Sequence, residues 1–242
     1  KKIDLYAQTN IIGTINILNY MIKSKINYFV FSSSAAVYGK PEYVPIDENH
    51  PKKPINFYGF TKLEIERLLF WYSNCKGIFY SSLRYFNAAG YDVKGRIHGL
   101  EERPSNLLPI IMEVAIGIRE YVEIYGNDYD TIDGTGIRDY IHVNDLAVAH
   151  VKSLETMIAN KKNIVINLAT GKGYSVLEII NKTSEILNKK IKFKFTDRRD
   201  GDIDKIISIS HLAEKTINWN CKYSNIDQLI ESMYSIYKQH YL

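Results

Sequence analysis

The sequence predicts an α/β protein built on a doubly wound parallel sheet, together with a smaller mixed α/β lobe. Strand-length apolar runs alternate with helix-length amphipathic stretches along the chain. The first two predicted strands each lead directly into polar residues, at Ser34 and Asn87. A β-α-β-α order favours parallel strands with helices on both faces. A chain of 242 residues can also bury a core of the size that such a fold requires.

In the first part of the chain, each element has a local signal. Apolar residues at helical spacing predict a helix over 10–22, and the buried run after it predicts a strand ending at Ser34. The proline-rich loop over 41–54 is extended, because proline fixes φ. The next helix begins at Tyr58 and runs to about Asn74, before Gly77. No strand with a glycine-rich turn precedes the first helix, so we expect an amino-terminal portion of the protein to be absent from this sequence.

The remaining elements follow from the same patterns. Asn144 or Asp145 is predicted to cap the helix that begins at Leu146, and two further helices close the chain. The predicted elements are strands at 78–85, 122–125, 164–168 and 191–195, a turn at 170–174, and helices at 106–119, 146–157 and 176–187.

Composition excludes several classes of protein. The formal net charge is only +4 and no basic run is present, which argues against nucleic-acid and membrane partners. Cys75 and Cys221 stand far apart, so they are expected to be free thiols in a reducing, cytoplasmic compartment. The six histidines show no ligand spacing, and no metal is expected. The sequence contains neither a signal peptide nor an apolar run of transmembrane length.

Three side chains form the candidate catalytic set: Ser34, Tyr58 and Lys62. Residues four apart share one helix face, so Tyr58 and Lys62 project side by side. A neighbouring ammonium is expected to lower the pKa of a phenol, which makes the pair an acid/base candidate. Ser34 lies at the carboxyl end of a strand, where open α/β sheets bind ligands. An isolated Tyr-x-x-x-Lys in a chain with 19 tyrosines is more often a solvated helix face, and the conjunction with Ser34 favours the catalytic interpretation.

Several motifs carry a family resemblance. Ser32–Gly39, Tyr58-x-x-x-Lys62 and Leu83–Asn87 resemble the extended short-chain dehydrogenases/reductases, which have a Rossmann-like sheet. Within that superfamily, the segments Tyr125–Thr131 and Gly134–Val143 resemble the UDP-glucose 4-epimerase family. The resemblance covers essentially the whole chain except for the missing GxxGxxG turn. It implies an NAD-binding domain at 1–87 and 145–169, and a UDP-sugar-binding lobe at 88–144 and 170–242.

The resemblance also implies a role for each matched position. Ser34, Tyr58 and Lys62 are the catalytic residues and also contact the cofactor, and Ser34 and Tyr58 contact the sugar as well. Asn10 and Phe86 line the NAD site. The remaining substrate-binding residues are Asn87, Asn106 and Leu107 for the diphosphate and sugar, Glu123 and Tyr125 for uracil, Arg138 and Arg199 for the diphosphate, Asp202 for the uridine ribose, and Ile206 for the sugar substituent.

The implied reaction is NAD-dependent interconversion of UDP-galactose and UDP-glucose through a 4-keto sugar, as in galactose metabolism, by a cytoplasmic homodimer. Dehydratases and decarboxylases need an acidic residue just after the serine, where this chain has Ala35 and Ala36. A UDP-uronate 4-epimerase and a non-catalytic nucleotide-binding relative stay open. Ile206 is intermediate between a bulky tyrosine and a small residue, so acceptance of UDP-N-acetylhexosamines also stays open.

Overall fold

The computed structural model describes residues 3–241, and it turns most of the predicted patterns into regular elements. The predicted domain limits at residues 1 and 242 lie outside that range. The helices are α1 (Ile3–Tyr6), a π-helical stretch (Ala7–Ile12), α2 (Gly13–Lys23), α3 (Phe57–Lys76), α4 (Leu107–Ile116), α5 (Val143–Asn160), α6 (Val176–Leu187), α7 (His211–Ile217) and α8 (Ile226–Tyr241). The strands are β1 (Tyr28–Ser34), β2 (Phe79–Tyr85), β3 (Asn87–Ala89), β4 (Val122–Tyr125), β5 (Ile137–His142), β6 (Ile164–Leu168), β7 (Gly173–Ser175), β8 (Phe193–Thr196) and β9 (Lys205–Ile206).

The described residues divide into two compact units. Unit 1 runs up to Phe86 and takes in Val148–Leu168 and Ser208–Asn220. Unit 2 comprises Asn87–Ala147, Ala169–Ile207 and the chain from Cys221 onwards. The assignment of NAD binding to one region of the chain and UDP-sugar binding to the other stays a prediction.

Unit 1 is built on a parallel sheet in the order β1-β2-β6. Ser34 pairs with Tyr85, so the carboxyl ends of β1 and β2 lie level. The Ser32 hydroxyl contacts His150 Nε2 of α5 at 2.9 Å, whereas the next hydroxyl, that of Ser33, donates to Glu66 of α3 at 2.6 Å. Successive side chains of a strand point to opposite faces, so α3 and α5 cover opposite faces of the sheet. This confirms the predicted doubly wound class.

Unit 2 contains short strands and three packed helices. β5 pairs in parallel with β3 and β9 and antiparallel with β7, and β4 pairs in parallel with β8. Its apolar core includes residues of α4, α6 and α8, among them Ile111, Ile180 and Leu229. This arrangement of mixed strands and helices is the mixed α/β lobe that the sequence predicts.

Several predicted bounds differ from the structure; β8, for example, runs over Phe193–Thr196 rather than 191–195. α5 begins at Val143, so neither Asn144 nor Asp145 is its N-cap. The Asp145 carboxylate instead accepts hydrogen bonds from the amides of Lys222 and Tyr223, both at 2.9 Å. The predicted turn at 170–174 gives way to strand β7 at Gly173, because that segment finds backbone partners on β5. α4 ends at Ile116 rather than near residue 119, because Gly117 adopts φ +87° and stops the helix.

Candidate active site

Ser34 is the last residue of β1 and begins a short 3₁₀ turn over Ala35–Val37. Its hydroxyl oxygen accepts a hydrogen bond from the Ala36 amide at 3.2 Å. This contact occupies a lone pair of the oxygen and leaves its proton for donation. Because Ser34 lies at the carboxyl end of a parallel strand, its hydroxyl is at the edge where such sheets bind ligands.

Tyr58 lies in the first turn of α3, next to the turn that follows Ser34. The Asn56 side chain caps this helix by accepting from the Gly59 amide at 2.8 Å. A Cβ atom at Gly59 would lie 2.3 Å from the carbonyl oxygen of Ala36. Only glycine allows the helix to approach the turn this closely, and the approach brings Tyr58 to Ser34.

The Tyr58 phenol titrates above its ordinary range. Burial raises its pKa from the ordinary value of 10.0, and the phenols of Tyr85 and Tyr6 add to the increase. The side-chain hydrogen bond with Ser34 acts in the opposite direction. The expectation of a lowered pKa at Tyr58 is therefore wrong.

The contacts of Lys62 explain why its positive charge does not reverse the upward shift of the Tyr58 pKa. Its Nζ atom donates to the carbonyl oxygen of Ser32 at 2.9 Å and lies 5.5 Å from the centroid of the Tyr58 ring. The same atom lies 4.9 Å from the Phe31 ring centroid, and burial lowers the pKa of the ammonium. The cation is thus near Tyr58, as the spacing predicts, but its recorded hydrogen bond goes to the strand.

The hydrogen-bond donors near Tyr58 are chemically suited to NAD. An ammonium has three N–H donors, and among the described residues the Ser32 carbonyl takes one hydrogen bond from Lys62, so the half-buried cation has donor capacity for ribose hydroxyls. Asn10 donates from Nδ2 to the Thr61 hydroxyl at 2.9 Å, which places it against the same turn of α3. Phe86 follows the end of β2 and is half-buried. These side chains are of the chemical types that would hold NAD.

In unit 2, the residues predicted to bind uracil cluster with one predicted diphosphate arginine. The Tyr125 hydroxyl donates to a carboxylate oxygen of Glu123 at 2.9 Å. The guanidinium of Arg199 lies 3.6 Å from the centroid of the Tyr125 ring. A flat aromatic face, a carboxylate and a guanidinium are therefore grouped at the end of β4, and these groups can stack on a base and bind phosphate oxygens.

A second group in unit 2 surrounds β5. Arg138 on β5 pairs in register with Ile206 on β9, so the predicted diphosphate residue and the predicted sugar-size residue are backbone neighbours. The Asp202 carboxylate, predicted to bind ribose, accepts from the Tyr129 hydroxyl at 3.2 Å. The Arg198 guanidinium lies 3.8 Å from the Tyr129 ring centroid. Tyr129 and Arg198 were not predicted; their position in the same turn-rich and arginine-rich segments was the available signal.

The other predicted substrate residues lie at element boundaries. Asn87 begins β3 and donates from Nδ2 to the carbonyl oxygen of Asp139 at 3.0 Å. Asn106 precedes α4 as an exposed N-cap residue with extended backbone, and Leu107 is the first residue of that helix. A helix N-terminus presents unpaired backbone N–H groups, which suit an anionic group.

The described part of the chain contains neither a metal-ion cluster nor a helix that could span a membrane. Residues 3–241 contain no group of three or more His, Cys, Asp or Glu side chains arranged to hold a metal ion. Within the same residues, no helix combines the length and apolar character needed to cross a membrane.

A strand-end serine beside a Tyr-x-x-x-Lys helix, on a doubly wound parallel sheet, defines an extended short-chain dehydrogenase/reductase. The family model described as GDP-mannose 4,6 dehydratase matches residues 2–233. A UDP-glucose 4-epimerase of Halalkalibacterium halodurans is 41% identical over 235 residues, covering 97% of this chain and 70% of the relative.

Solved structures agree with this comparison. The UDP-glucose 4-epimerase of Stenotrophomonas maltophila, with bound NAD and formylated UDP-arabinopyranose, matches with a TM-score of 0.94 and 35% identity, over 98% of this chain and 71% of that one. The Bifidobacterium longum UDP-glucose 4-epimerase, in complex with NAD+ and UDP, matches with a TM-score of 0.88 and 37% identity over the same shares. The chain belongs to the UDP-glucose 4-epimerase family.

Proposed function

We propose that the protein is an NAD-dependent isomerase that interconverts UDP-galactose and UDP-glucose. The observation that carries the proposal is the grouping of Ser34, Tyr58 and Lys62 at the carboxyl end of β1 and the start of α3. Relatives that carry the UDP-glucose 4-epimerase name, two of them with NAD bound, support the same reaction.

In this proposal, Tyr58 moves the proton and the neighbouring residues control its charge. The phenolate of Tyr58 takes the proton of the sugar 4-hydroxyl, and the phenol returns it to the keto oxygen after the sugar has turned over. Ser34 donates to the phenolate oxygen of Tyr58, and Lys62 provides positive charge beside the Tyr58 ring. Bound NAD would supply a hydride acceptor that gives the hydride back, so no net oxidation occurs.

The residues of unit 2 are proposed to hold the nucleotide while the sugar rotates. Arg138 and Arg199 bind the diphosphate through guanidinium forks, which match phosphate oxygens. Tyr125 and Glu123 bind uracil, and Asp202 binds the uridine ribose. Asn87, Asn106 and Leu107 contact the diphosphate and the sugar. Asn10 and Phe86, in unit 1, line the NAD site.

Incubation of the protein with UDP-galactose and NAD tests the proposal directly. NMR is expected to show UDP-glucose accumulating until both sugars reach equilibrium, with no net formation of NADH, because the hydride returns to the sugar. Tyr58→Phe is the control variant. Bound NAD without any interconversion would contradict the proposal and favour a uronate 4-epimerase or a non-catalytic nucleotide-binding relative.

Ile206 supports a second candidate substrate class. Its backbone pairs in register with Arg138, which is a proposed diphosphate ligand. Because isoleucine is smaller than tyrosine, we also propose UDP-N-acetylhexosamines as substrates. The same assay with UDP-N-acetylgalactosamine tests this, and Ile206→Tyr is expected to reduce its turnover more than that of UDP-galactose.

We further propose that the protein is a cytoplasmic homodimer. Cys75 and Cys221 are free thiols, which is the usual state in a reducing compartment. Helices α2 and α3 expose large apolar side chains, among them Ile17, Tyr20 and Trp71. Exposed apolar surface of this kind is typical of an interface.

A further inference from the structure

A buried ion pair lies between the sheet and α3 in unit 1. The side chains of Arg84 and Glu66 are only 3% and 8% exposed. Arg84 donates from Nε to Oε1 of Glu66 at 2.9 Å and from Nη2 to Oε2 at 2.5 Å. Burying two charges costs desolvation energy, and apolar replacements of such pairs are often as stable or more stable. The importance of this ion pair therefore lies in the elements that it connects rather than in its contribution to stability.

Glu66 connects the two elements that carry the proposed catalytic residues. It lies four residues after Lys62 and eight after Tyr58, so all three share one face of α3. Its Oε1 atom accepts a hydrogen bond from the Ser33 hydroxyl at 2.6 Å. Ser33 is the residue immediately before Ser34 on β1. One carboxylate thus ties the end of β1 to α3 beside the point where Ser34 meets Tyr58.

The same carboxylate is linked through Arg84 to the other two strands of the sheet. Arg84 also donates from Nη1 to the Tyr38 hydroxyl at 2.9 Å, and that hydroxyl donates to Oδ1 of Asn167 at 2.6 Å. Burial raises the pKa of Tyr38 to about 12, so its phenol keeps its proton as a donor. Arg84 lies on β2 and Asn167 on β6, and the two residues are register partners. The network therefore holds Glu66 against all three strands of the sheet.

We propose that Glu66 is a positioning residue that sets the distance between the Ser34 hydroxyl and the Tyr58 phenol. The inference rests on the proposed function, since it assigns Glu66 a role in the same reaction. Glu66 acts through the position of β1 relative to α3 and makes no contact with the reacting atoms. An error of about 1 Å in such a distance can cost about 100-fold in rate.

Glu66→Gln is the first test, with Glu64→Gln as the matched control. Glu64 is on the same helix, and its recorded ion pair is with the exposed Arg67. We expect Glu66→Gln to lower kcat about 10- to 100-fold, with the KM for UDP-galactose unchanged, because the groups proposed to bind the nucleotide lie in unit 2. The control is expected to keep wild-type values of both.

The pH profile separates positioning from a general loss of stability. The Ser34 hydrogen bond lowers the pKa of Tyr58, so a displaced Ser34 is expected to move the acid limb of the kcat profile to higher pH. The other groups that face Tyr58 are Tyr6, Tyr85 and Lys62. The hydrogen bonds of the Glu66 carboxylate go to Ser33 and Arg84 instead, so the substitution removes no hydrogen bond of those three groups. An enzyme that is only less stable would lose activity, but the acid limb of its kcat profile would stay at the wild-type pH.

Ser33→Ala keeps the test valid if Glu66→Gln does not fold, because it leaves both charges of the ion pair in place. Ser33→Ala is expected to raise the pKa of Tyr58. That pKa is measured by NMR from the ¹³Cζ resonance of Tyr58, which is assigned by its absence in Tyr58→Phe. This titration needs no turnover, so it decides the inference even if the wild-type protein epimerises no UDP-sugar. A Tyr58 pKa unchanged in Ser33→Ala, or a wild-type kcat and acid limb in Glu66→Gln, would overturn the proposal.

Discussion

At the scale of single residues, two opposing influences govern the Tyr58 phenol: burial and the hydrogen bond with Ser34. Burial is the larger of the two, so the pKa is raised. The proximity of Ser34, Tyr58 and Lys62 was predictable, because Tyr58 and Lys62 are spaced within one helix and Ser34 ends one strand. The direction of the pKa shift was not predictable, because it depends on burial and on Tyr85 and Tyr6, which other elements contribute.

Replacing Ser34 with alanine removes the interaction that lowers the pKa of Tyr58 and leaves burial in force. Because the proposed base is the phenolate, activity rises as pH approaches the Tyr58 pKa from below. We therefore expect the acid limb of the kcat/KM profile of Ser34→Ala to move to higher pH, and kcat to fall about 100-fold.

Tyr58→Phe is the control for that measurement, since it has no ionisable phenol. It is expected to lose about 10²- to 10⁴-fold in kcat and to show no limb of this origin. An acid limb of Ser34→Ala that superimposes on that of the wild type would contradict the role given to the hydroxyl.

At the scale of elements, the approach of α3 to the turn after β1 depends on Gly59. A Cβ atom there would lie 2.3 Å from the Ala36 carbonyl oxygen, which is backbone and cannot rotate away. Gly59→Ala is therefore expected to lower the free energy of unfolding by about 1–3 kcal/mol. It should also reduce kcat, because the helix start carries Tyr58. Denaturant titration and steady-state kinetics check the two effects.

Gly13→Ala is the matched control for that substitution. Gly13 is also helical, but a Cβ atom there meets no neighbour closer than the Gln8 carbonyl oxygen at 3.7 Å. We expect it to raise the free energy of unfolding by about 0.5–1 kcal/mol, since alanine favours the helix more than glycine does. Equal effects of the two substitutions would show that helix propensity, and not close approach, decides the result at Gly59.

The elements also show where local patterns stop being informative. β1, β4, β6 and α6 match their predicted ranges because their apolar periodicity is complete within each segment. β7 and β9 have three and two residues, and they are strands only because β5 offers partners at Ile137 and Arg138. Such partners are distant in sequence, so no pattern inside the segment indicates them.

At the scale of the whole molecule, each unit is assembled from three stretches of chain. The return of Ser208–Asn220 to unit 1 is the clearest example. The Ser208 hydroxyl donates to the carbonyl oxygen of Ile46 at 2.7 Å and accepts from Asn167 Nδ2 at 3.1 Å. No composition change marks this return, because the contacts that create it join residues more than 40 positions apart.

The proposed homodimer leads to a prediction at this scale. α2 and α3 adjoin each other, since the Tyr72 hydroxyl donates to Oδ1 of Asn19 at 3.0 Å. On these helices Tyr20 is 68% exposed and Trp71 is 62% exposed. Aromatic side chains of this size are frequent energetic centres of interfaces. We therefore expect Trp71→Glu to weaken the dimer by about 2–4 kcal/mol, because it places a charge within buried apolar surface.

Sedimentation velocity over a range of protein concentrations measures that dissociation. The control is Ile132→Glu, which introduces the same charge at a fully exposed apolar residue of unit 2 and should leave the dimer intact. Because Tyr58 and Lys62 lie on α3 together with Trp71, pairing through this helix would also stiffen the element that carries the proposed base. A wild-type protein that sediments as a monomer at every concentration would exclude the dimer, and it would leave Tyr20 and Trp71 as exposed residues without an assigned partner.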